Sequence, residues 1–367
     1  MRINLVLYKG HHNKRHYVDW WLMILITLLM AYGLVVLYSA GGWVLVKKQM
    51  IRLALGMIVM LFFAQFKPEK LAGISPWLFM ITVILLVAVL FFGYESKGAK
   101  RWLYIGIRFQ PSELAKLTVP LVLAWFYRYR VLPPDINSIL ISLLLLMVPV
   151  ILIFNQPDLG TSILVAVSGI FVLFLAGLSW KLIVTGVAAA ASAAPLLWMF
   201  LLKDYQKRRV LTFLNPESDT LGSSWNIIQS KIAIGSGGLF GKGWQHGSQT
   251  QLDFLPEHST DFILSVLAEE FGLFGVILLL LIYLAIILRG LYIAFQSKDT
   301  FNRLFAGALT LTFFVYVFIN AGMISGLLPV VGVPLPLVSY GGTSIITLMV
   351  SFGMIMSVHN HRKLLKS

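Results

Sequence analysis

Charged and polar residues gather at four places between long apolar segments of the chain. The first place is residues 100–116, where Glu113 and Lys116 follow Pro111 at the expected start of a helix. Residues three apart lie on one helical face, so these two side chains can pair. The loop before them adds three cations and an aromatic ring, at Lys100, Arg101, Arg108 and Trp102. This grouping suits an anionic ligand, and the alternative is a local ion pair that only anchors the helix.

Two further clusters each have a plainer structural interpretation. In residues 155–162, Asp158 follows a proline and precedes Leu-Gly, a pattern typical of a turn whose aspartate caps the next helix. We favour that interpretation for Asp158 from the residues alone. Residues 203–209 contain a run of cations that includes Lys207 and Arg208. Such a run typically contacts lipid headgroups, although arginine also binds pyrophosphate bidentately, and both interpretations stay open.

The fourth cluster places two carboxylates just before a long apolar segment. Glu257 and Asp261 are four apart and would share a face at the mouth of a helix. Paired carboxylates in a partly dehydrated site can have different pKa values, which suits one of them to act as a general base. Alternatively, both stabilise the positive end of the helix. Glu269 and Glu270 lie about two turns deeper, where we expect structural pairing with cations of a neighbouring helix.

Two other patterns are not interpreted as sites. Residues 235–243 resemble a phosphate-binding loop, but Ser236 replaces its first glycine and Gly243 replaces its Ser/Thr. His246 and His258 have no second pair of ligands at metal-binding spacing. The chain has no cysteine, which excludes disulfides and thiolate metal or redox sites.

The composition indicates a membrane protein. Of 367 residues, 58% are hydrophobic and 12% are charged, and the mean hydropathy is +0.85, so most side chains must face lipid. The net charge of +14 is explained by Lys and Arg in loops that contact anionic headgroups. We expect no nucleic-acid partner, because no basic stripe with interleaved aromatic residues occurs.

Long apolar runs predict an all-α polytopic fold with about ten transmembrane helices. A helix needs about 20 apolar residues to cross the bilayer, and helices satisfy their own backbone in lipid. The first run follows a polar, basic start and exceeds a signal-peptide core, so we interpret it as a retained span. The predicted spans are residues 19–38, 50–66, 76–92, 112–125, 136–154, 161–178, 181–202, 262–288, 305–324 and 339–359.

The loops predict the orientation of these spans. An even number of spans puts both termini on one side, and basic residues at the termini and in residues 127–130 and 289–303 make that side cytoplasmic. The long loop 203–260 between the seventh and eighth helices is then extracytoplasmic. Within it, apolar residues at helical spacing from Trp225 to Ile234 predict a short amphipathic helix at the membrane interface, followed by tight glycine turns.

Several motifs resemble one known family. The segment 326–344, with Asn320 before it, resembles the signature of the shape, elongation, division and sporulation (SEDS) family. Other blocks of this family are similar to residues 109–113, 156–162, 204–206, 228–238, 241–244, 255–257 and 260–262, in the same order across nearly the whole chain. Short tails and Asp204-Tyr205-Gln206 make the chain more similar to the elongation branch than to the division branch.

The resemblance implies a fold, an activity and partners. It implies one integral-membrane domain over residues 1–367 that polymerises lipid II, the undecaprenyl-pyrophosphate-linked disaccharide peptide, in the bacterial inner membrane. This peptidoglycan glycosyltransferase would serve cell elongation and rod shape together with a class B penicillin-binding protein and other elongation-complex membrane proteins. Asp261 would be the catalytic carboxylate. The same extracytoplasmic cavity would be lined by Trp102, Arg108, Gln110, Glu113, Lys116 and Asp158.

A mechanism follows from the expected chemistry. A sugar hydroxyl must lose its proton as it attacks the donor, and a carboxylate within hydrogen-bond reach is the expected base. We assign this role to Asp261, with Glu113 or Asp158 orienting it. Lys116, Arg108 and Arg208, or a divalent cation (Mg or Mn), would offset charge on the departing pyrophosphate. We assign Glu257, with Lys207, to substrate binding; no other cofactor is implied. The resemblance also implies inversion at the donor carbon.

Two other classes of function compete with a polymerase. A lipid II flippase would also carry charged residues between its helices, but along the full depth of its path. Here the charged residues gather at the outer side, with Glu269 and Glu270 as the main exceptions. A non-catalytic scaffold would leave the residues around Asp261 and Glu113 unexplained.

Overall fold

The protein is described here by a computed structural model. It describes residues 18–361 apart from 97–98, 105, 107, 202–203, 216–224 and 253. The described part is mostly helical. In chain order its helices are α1 (Trp20–Ala64), α2 (Pro68–Phe92), α3 (Pro111–Phe126), α4 (Ile136–Asn155), α5 (Leu159–Leu175), α6 (Trp180–Leu196, continued by a π-helical turn Leu197–Leu201), α7 (Asp204–Leu214), α8 (Trp225–Gly237), α9 (Ser248–Gln251), α10 (Ile263–Gln296), α11 (Thr300–Ile324) and α12 (Thr343–Asn360).

Six of these helices are long and apolar enough to cross a membrane: α1, α2, α4, α10, α11 and α12. A further helix, α5, is apolar but shorter. A helix also occurs at each of the other predicted spans, and α3 nearly coincides with the predicted residues 112–125. The total of ten membrane crossings stays a prediction.

Helix α1 is folded back on itself at Gly42. Its 45 residues would extend about 67 Å if straight, more than twice the hydrocarbon thickness. Gly42 has a φ of 66°, outside the helical range. Asp19, before the start of α1, lies 3.9 Å from His359 of α12, and the carbonyl of Ala64 at its end accepts a hydrogen bond from Asn360. Both ends of α1 therefore lie at the carboxyl end of α12, and its two halves are antiparallel.

The two ends of the helical bundle can be distinguished by their contacts. At one end, Asp19 pairs with Arg289 near the end of α10, with 2.8 Å between carboxylate oxygen and guanidinium nitrogen. At the other end, the amino end of α12, the Tyr340 amide donates to the carbonyl of Ser259 and the Ser339 hydroxyl donates to that of Thr260. We call the second end, which holds residues 255–262, the site end of the bundle.

Helix α10 is interrupted where a continuous span was predicted. Gly272 has a φ of 64° and separates residues 263–271 from 273–296. The interruption is filled by the loop after α8: the Leu273 amide donates to the carbonyl of Gly238 at 3.0 Å, and the Lys242 amide donates to that of Glu269 at 2.9 Å. A break in a membrane helix is tolerated where protein groups satisfy the freed backbone, as these do. The predicted span 262–288 is therefore present as α10, but its interruption at Gly272 was not predicted.

Replacing Gly272 by alanine is expected to destabilise the protein. A φ of 64° with a ψ of −160° is a glycine-only conformation that costs other residues about 1–3 kcal/mol, and an added Cβ would lie only 2.6 Å from the carbonyl oxygen of Leu239. Thermal unfolding in detergent should show a lower Tm for Gly272→Ala. Gly73→Ala is the matched control, because Gly73 is an exposed helical residue with open space around it. Equal Tm values for the two variants would contradict this account.

A small antiparallel sheet joins α2 to α3. Its strands are β1 (Tyr94–Ser96), β2 (Ala99–Tyr104) and β3 (Arg108–Phe109), in the order β1-β2-β3. Tyr94 is paired with Trp102, and Leu103 with Phe109. These strands were not predicted from the sequence. They lead directly into Gln110 and the start of α3.

The predicted short helix in the long loop is present as α8. Its Ser230 hydroxyl lies 2.7 Å from that of Ser265 in α10 and donates to the carbonyl of Ile324 in α11 at 3.0 Å. Ile227 and Ala233 are buried, whereas Ile232 is 46% exposed. One face of α8 thus packs on α10 and α11 at the site end.

Candidate functional site

A buried ion pair lies at the start of α3. Pro111 takes the first helical position, which needs no backbone donor, and the pair follows within one turn. The Glu113 carboxylate and the Lys116 ammonium are 2.5 Å apart, and both residues are about 95% buried. The Lys116 nitrogen also lies 4.9 Å from the centre of the Tyr316 ring, on α11. The predicted pairing is confirmed, and its burial means that neither charge is solvated by bulk water.

The second carboxylate oxygen of Glu113 is free to accept a hydrogen bond. Among the described residues it has no hydrogen-bond partner although it is fully buried, and the same holds for the hydroxyl of Ser112. Buried polar atoms normally have partners, and an exception suggests a ligand or water. The start of α3 therefore offers unused polar groups next to a charged pair.

Asp158 caps α5 and also joins this helix to α3 and the sheet. Its carboxylate accepts from the Thr161 amide at 3.3 Å, which confirms the predicted cap. It also accepts from the side chain of Gln110 at 3.0 Å and lies 3.8 Å from the guanidinium of Arg101. Arg101 donates in addition to the carbonyl of Pro157. Asp158 is thus buried among polar groups of three elements, so the turn interpretation alone was incomplete.

Asp261 packs against the segment 331–333, which also contacts the start of α5 in space. Its carboxylate oxygen is 3.3 Å from the position that a Cβ on Gly332 would take. A Cβ on Gly160, in the first turn of α5, would lie 2.9 Å from the carbonyl oxygen of Val331. The segment therefore contacts both Asp261 and the helix that Asp158 caps. A larger residue at Gly332 would therefore change the distance between this segment and Asp261, and one at Gly160 would change its distance from α5.

Helix α11 connects the two halves of the site. The Asn320 side chain donates to the carbonyls of Asp261 at 2.9 Å and Val333 at 2.7 Å, while Tyr316 packs on Val333 and contacts Lys116. Tyr316 and Asn320 are four apart and so share one face of α11. Neither residue was predicted from the sequence to have a role in the site. Two polar residues at this spacing in an apolar helix were the signal that could have found them.

Glu257 and Asp261 do not share a helical face, contrary to the prediction. Residues 255–262 form turns and α10 begins only at Ile263. The amides of Thr260 and Phe262 both donate to the Glu257 carbonyl, and the Thr260 hydroxyl donates to the Glu257 carboxylate at 2.8 Å. The turns occur because Pro256 and these local bonds compete with the helix. Glu257 shapes the turn that carries Asp261.

His258 attaches this turn to α1. Its two ring nitrogens lie 2.5 Å from the carbonyl oxygen of Leu255 and 2.8 Å from that of Ala40, close to the reversal at Gly42. No role was predicted for His258, since the sequence alone does not show that α1 comes near it.

Replacing His258 by leucine is expected to loosen residues 255–262. The change removes the ring that links the turn to the Ala40 carbonyl of α1, and the loss of one hydrogen bond typically costs about 0.5–1.5 kcal/mol. Hydrogen exchange of the amides in this segment should become faster, with Tyr340 included because its amide donates to Ser259. His258→Gln keeps one donor and should fall between wild type and leucine. Unchanged exchange in the leucine variant would show that His258 does not hold the turn.

Glu269 and Glu270 hold the interrupted part of α10. Glu269 is fully buried and accepts from Lys242 at 2.7 Å, Ser248 at 3.0 Å and the Gln249 amide at 3.2 Å. Glu270 accepts from the Ser39 hydroxyl of α1. The structure supports the predicted structural role, but the cation comes from the loop after α8 and not from a neighbouring helix.

The structure gives less detail on the positions of the other residues that were predicted for the site. Trp102 lines a surface pocket of the sheet with Tyr94, Leu103 and Tyr104. Arg108 belongs to β3, while Lys207 and Arg208 belong to α7, where Lys207 is half-buried. The side chains of Arg108 and Arg208 lie outside the described part of the structure. Within the described part, no three His, Asp or Glu side chains gather as a metal site would need.

Comparison with known proteins identifies the class to which this fold and site belong. The chain belongs to the cell cycle protein family of FtsW, RodA and SpoVE, whose sequence model matches residues 19–364. This confirms the predicted family. Together with the apolar helices, the match identifies an integral membrane protein.

Individual relatives are similar over almost their full length. The peptidoglycan glycosyltransferase MrdB of Escherichia coli K12 is 54% identical, over 97% of each chain. The peptidoglycan glycosyltransferase MrdB of Helicobacter pylori 26695 is 37% identical over 91% of this chain and 87% of its own.

Two solved structures share the fold. A chain of a peptidoglycan synthase complex, described for its coordination of polymerization and crosslinking, is 35% identical with a TM-score of 0.81, covering 94% of this chain and 98% of that chain. The rod shape determining protein RodA of Thermus thermophilus is 30% identical with a TM-score of 0.73, covering 95% and 98%.

Proposed function

We propose that the chain is a peptidoglycan glycosyltransferase that polymerises lipid II into glycan strands for cell elongation and rod shape. The observation that carries this proposal is the buried Glu113–Lys116 pair, with its unused carboxylate oxygen, at the same end of the bundle as Asp158 and Asp261. The 54% identity to an enzyme of that name supports the activity. We treat residues 1–367 as one integral-membrane domain.

The proposed orientation puts the site end outside the cytoplasm. The two halves of α1 with α2–α6 and α10–α12 supply ten spans in the inner membrane. Asp19, Arg289 and His359 share the opposite end. Because the sequence is rich in Lys and Arg at both termini, the positive-inside rule makes this end cytoplasmic. The loop 203–260, including α7–α9, is then extracytoplasmic, and it reaches the bundle through α8.

In the proposed reaction Asp261 is the general base. It takes the proton of the acceptor sugar hydroxyl as the hydroxyl oxygen attacks the anomeric carbon of the donor. The bond from that carbon to the pyrophosphate oxygen breaks, the lipid pyrophosphate departs, and the configuration inverts. Lys116, with Arg108 and Arg208, offsets the charge on the departing group. Within the described residues, no three acidic or histidine side chains gather to hold a divalent cation.

The other site residues are proposed to position substrate and catalytic groups. Glu113 holds the ammonium of Lys116 in place at 2.5 Å. Asp158 fixes Gln110 and, through Arg101, the sheet that presents Trp102 to the sugar or the headgroup region. We also assign Lys207 to pyrophosphate binding. Glu257 shapes the turn before Asp261.

We infer that a class B penicillin-binding protein supplies the crosslinking activity, alongside other membrane proteins of an elongation complex. The inference is supported by the similarity to a chain of a synthase complex that couples polymerization to crosslinking. The exposed apolar faces of the peripheral helices, such as α2 and α4, offer surface for such contacts in the membrane.

The test is polymerisation of labelled lipid II by the purified full chain, alone and with a class B penicillin-binding protein. We expect glycan strands that lengthen with time in at least one of these conditions. If neither condition gives strands while liposomes containing the chain move lipid II between leaflets, the flippase is the better function. The pairing of Glu269 with Lys242 argues against that alternative, because it gives a structural role to one of the two deep carboxylates that a transport path would use.

A further inference from the structure

A buried glutamine of α1 reaches the segment that precedes α12. Gln49 lies in the second half of α1, about two turns after the reversal at Gly42. Its side-chain nitrogen donates to the carbonyl of Ser339 at 3.0 Å, and its side-chain oxygen accepts from the Gly341 amide at a longer 3.4 Å. One side-chain amide therefore brackets residues 339–341, which we call the linking segment.

The linking segment is bonded in its turn to the residues just before Asp261. The Ser339 hydroxyl donates to the carbonyl of Thr260 at 2.6 Å, and Thr260 immediately precedes Asp261. The Tyr340 amide donates to the carbonyl of Ser259 at 2.9 Å. A displacement of the linking segment would therefore be passed to the backbone that carries the proposed base.

Arg52, about one turn further along α1, supports the same attachment. Its guanidinium donates to the Gly341 carbonyl at 3.1 Å and lies 4.5 Å from the centre of the Tyr340 ring. Arg52 is half-buried, whereas Gln49 is only 1% exposed. The hydrogen bonds of Gln49 are thus shielded from competition with water, which makes them the stronger part of the attachment.

A second side-chain amide joins α1 to α12 at the opposite end of the bundle. Asn360 of α12 donates to the carbonyl of Ala64 at the end of α1, at 3.1 Å. This contact joins the same two helices, but it lies far from Asp261. If these amides only held α1 against α12, replacing either of them would have the same consequences.

We propose that Gln49 is a positioning residue for Asp261, an inference that rests on the proposed function of Asp261 as the general base. Gln49 is too deeply buried to touch a substrate, and it acts through the linking segment and the turn before Asp261. The base must lie within hydrogen-bond reach of the attacking hydroxyl. Because a misplacement of about 1 Å can lower a rate about 10²-fold, this attachment sets kcat and not the affinity for lipid II.

The first test is the kinetics of lipid II polymerisation by the full chain with Gln49→Met. Methionine is unbranched and similar in length to glutamine, so the packing is nearly kept while the amide is lost. We expect kcat to fall about tenfold while KM stays within about twofold of wild type. Asn360→Met is the matched control and should keep the wild-type kcat and KM. Gln49→Glu keeps an oxygen for the Gly341 amide and should recover part of kcat.

The second test is hydrogen exchange, which measures the attachment without polymerisation. In Gln49→Met the amides of the linking segment and of residues 255–262 should exchange faster than in wild type, and in Asn360→Met they should not. Size-exclusion chromatography and the Tm in detergent establish that each variant is folded at the assay temperature.

Three results would overturn the inference. Unchanged exchange in Gln49→Met would show that Gln49 does not hold the turn, and faster exchange with a wild-type kcat would show that the turn does not limit the reaction. Equal losses of kcat in Gln49→Met and Asn360→Met would reduce both amides to packing contacts. A wild-type chain that makes no strands in any condition is a different failure, because it overturns the proposed function itself and this inference with it.

Discussion

Asp261→Asn is expected to abolish glycan strand formation while leaving the fold intact. The amide has nearly the shape of the carboxylate but does not accept the proton of the attacking hydroxyl. The structural contact of Asp261 with Asn320 uses the main-chain carbonyl of Asp261, which the substitution keeps. Loss of a general base typically lowers the rate by about 10²–10⁴-fold. Polymerisation of labelled lipid II, followed on gels that resolve strand length, measures this effect.

The matched control for this variant is Asp299→Asn. Asp299 is exposed and caps α11 by accepting from the Asn302 amide, at the end of the bundle away from the site. Asparagine caps helices as well as aspartate does, so both folding and polymerisation should be retained. If Asp261→Asn polymerises as fast as wild type with an unchanged Tm, Asp261 is a structural residue of the turn and the base must be sought elsewhere.

The membrane fold could be predicted because its helices carry a strong local signal. Apolar runs of about 20 residues predicted where α2, α4, α11 and α12 lie. Most of the ends of these helices were predicted to within several residues. The reversal at Gly42 falls between the predicted spans 19–38 and 50–66, so it agrees with the prediction of two helices there. The interruption at Gly272 was missed, because this glycine lies inside a continuous apolar pattern and hydropathy does not register a broken backbone. The loop groups that fill the break in α10 are more than twenty residues away in sequence.

The candidate site was predicted in part. Glu113 and Lys116 are close in sequence, so helical spacing alone gave their pairing. The hydrogen bond from Gln110 to Asp158 joins residues that are 48 apart in sequence. Sequence spacing alone does not show that these two side chains meet in the folded chain. The helical spacing of Glu257 and Asp261 was misleading, because local turns start before the helix. Tertiary contacts such as His258 with Ala40 decide how that turn is held, and they appear only when the chain is folded.

Lys116→Met is expected to be the most destabilising single change at the site. Removing one partner of a buried ion pair leaves the other charge without compensation, which typically costs about 3–5 kcal/mol. Here it would leave the Glu113 carboxylate buried, and it would remove the cation from the face of Tyr316. Both the Tm in detergent and the polymerisation of lipid II should fall.

The double variant Glu113→Leu/Lys116→Met separates stability from catalysis. Replacing a buried ion pair by well-packed hydrophobic side chains of similar volume is often neutral or stabilising. The Tm should therefore recover most of what Lys116→Met loses. Polymerisation should remain low, since no cation at this position then offsets the charge on the departing pyrophosphate. A double variant that regained both stability and strand synthesis would mean that the pair only anchors α3, the alternative that the sequence left open.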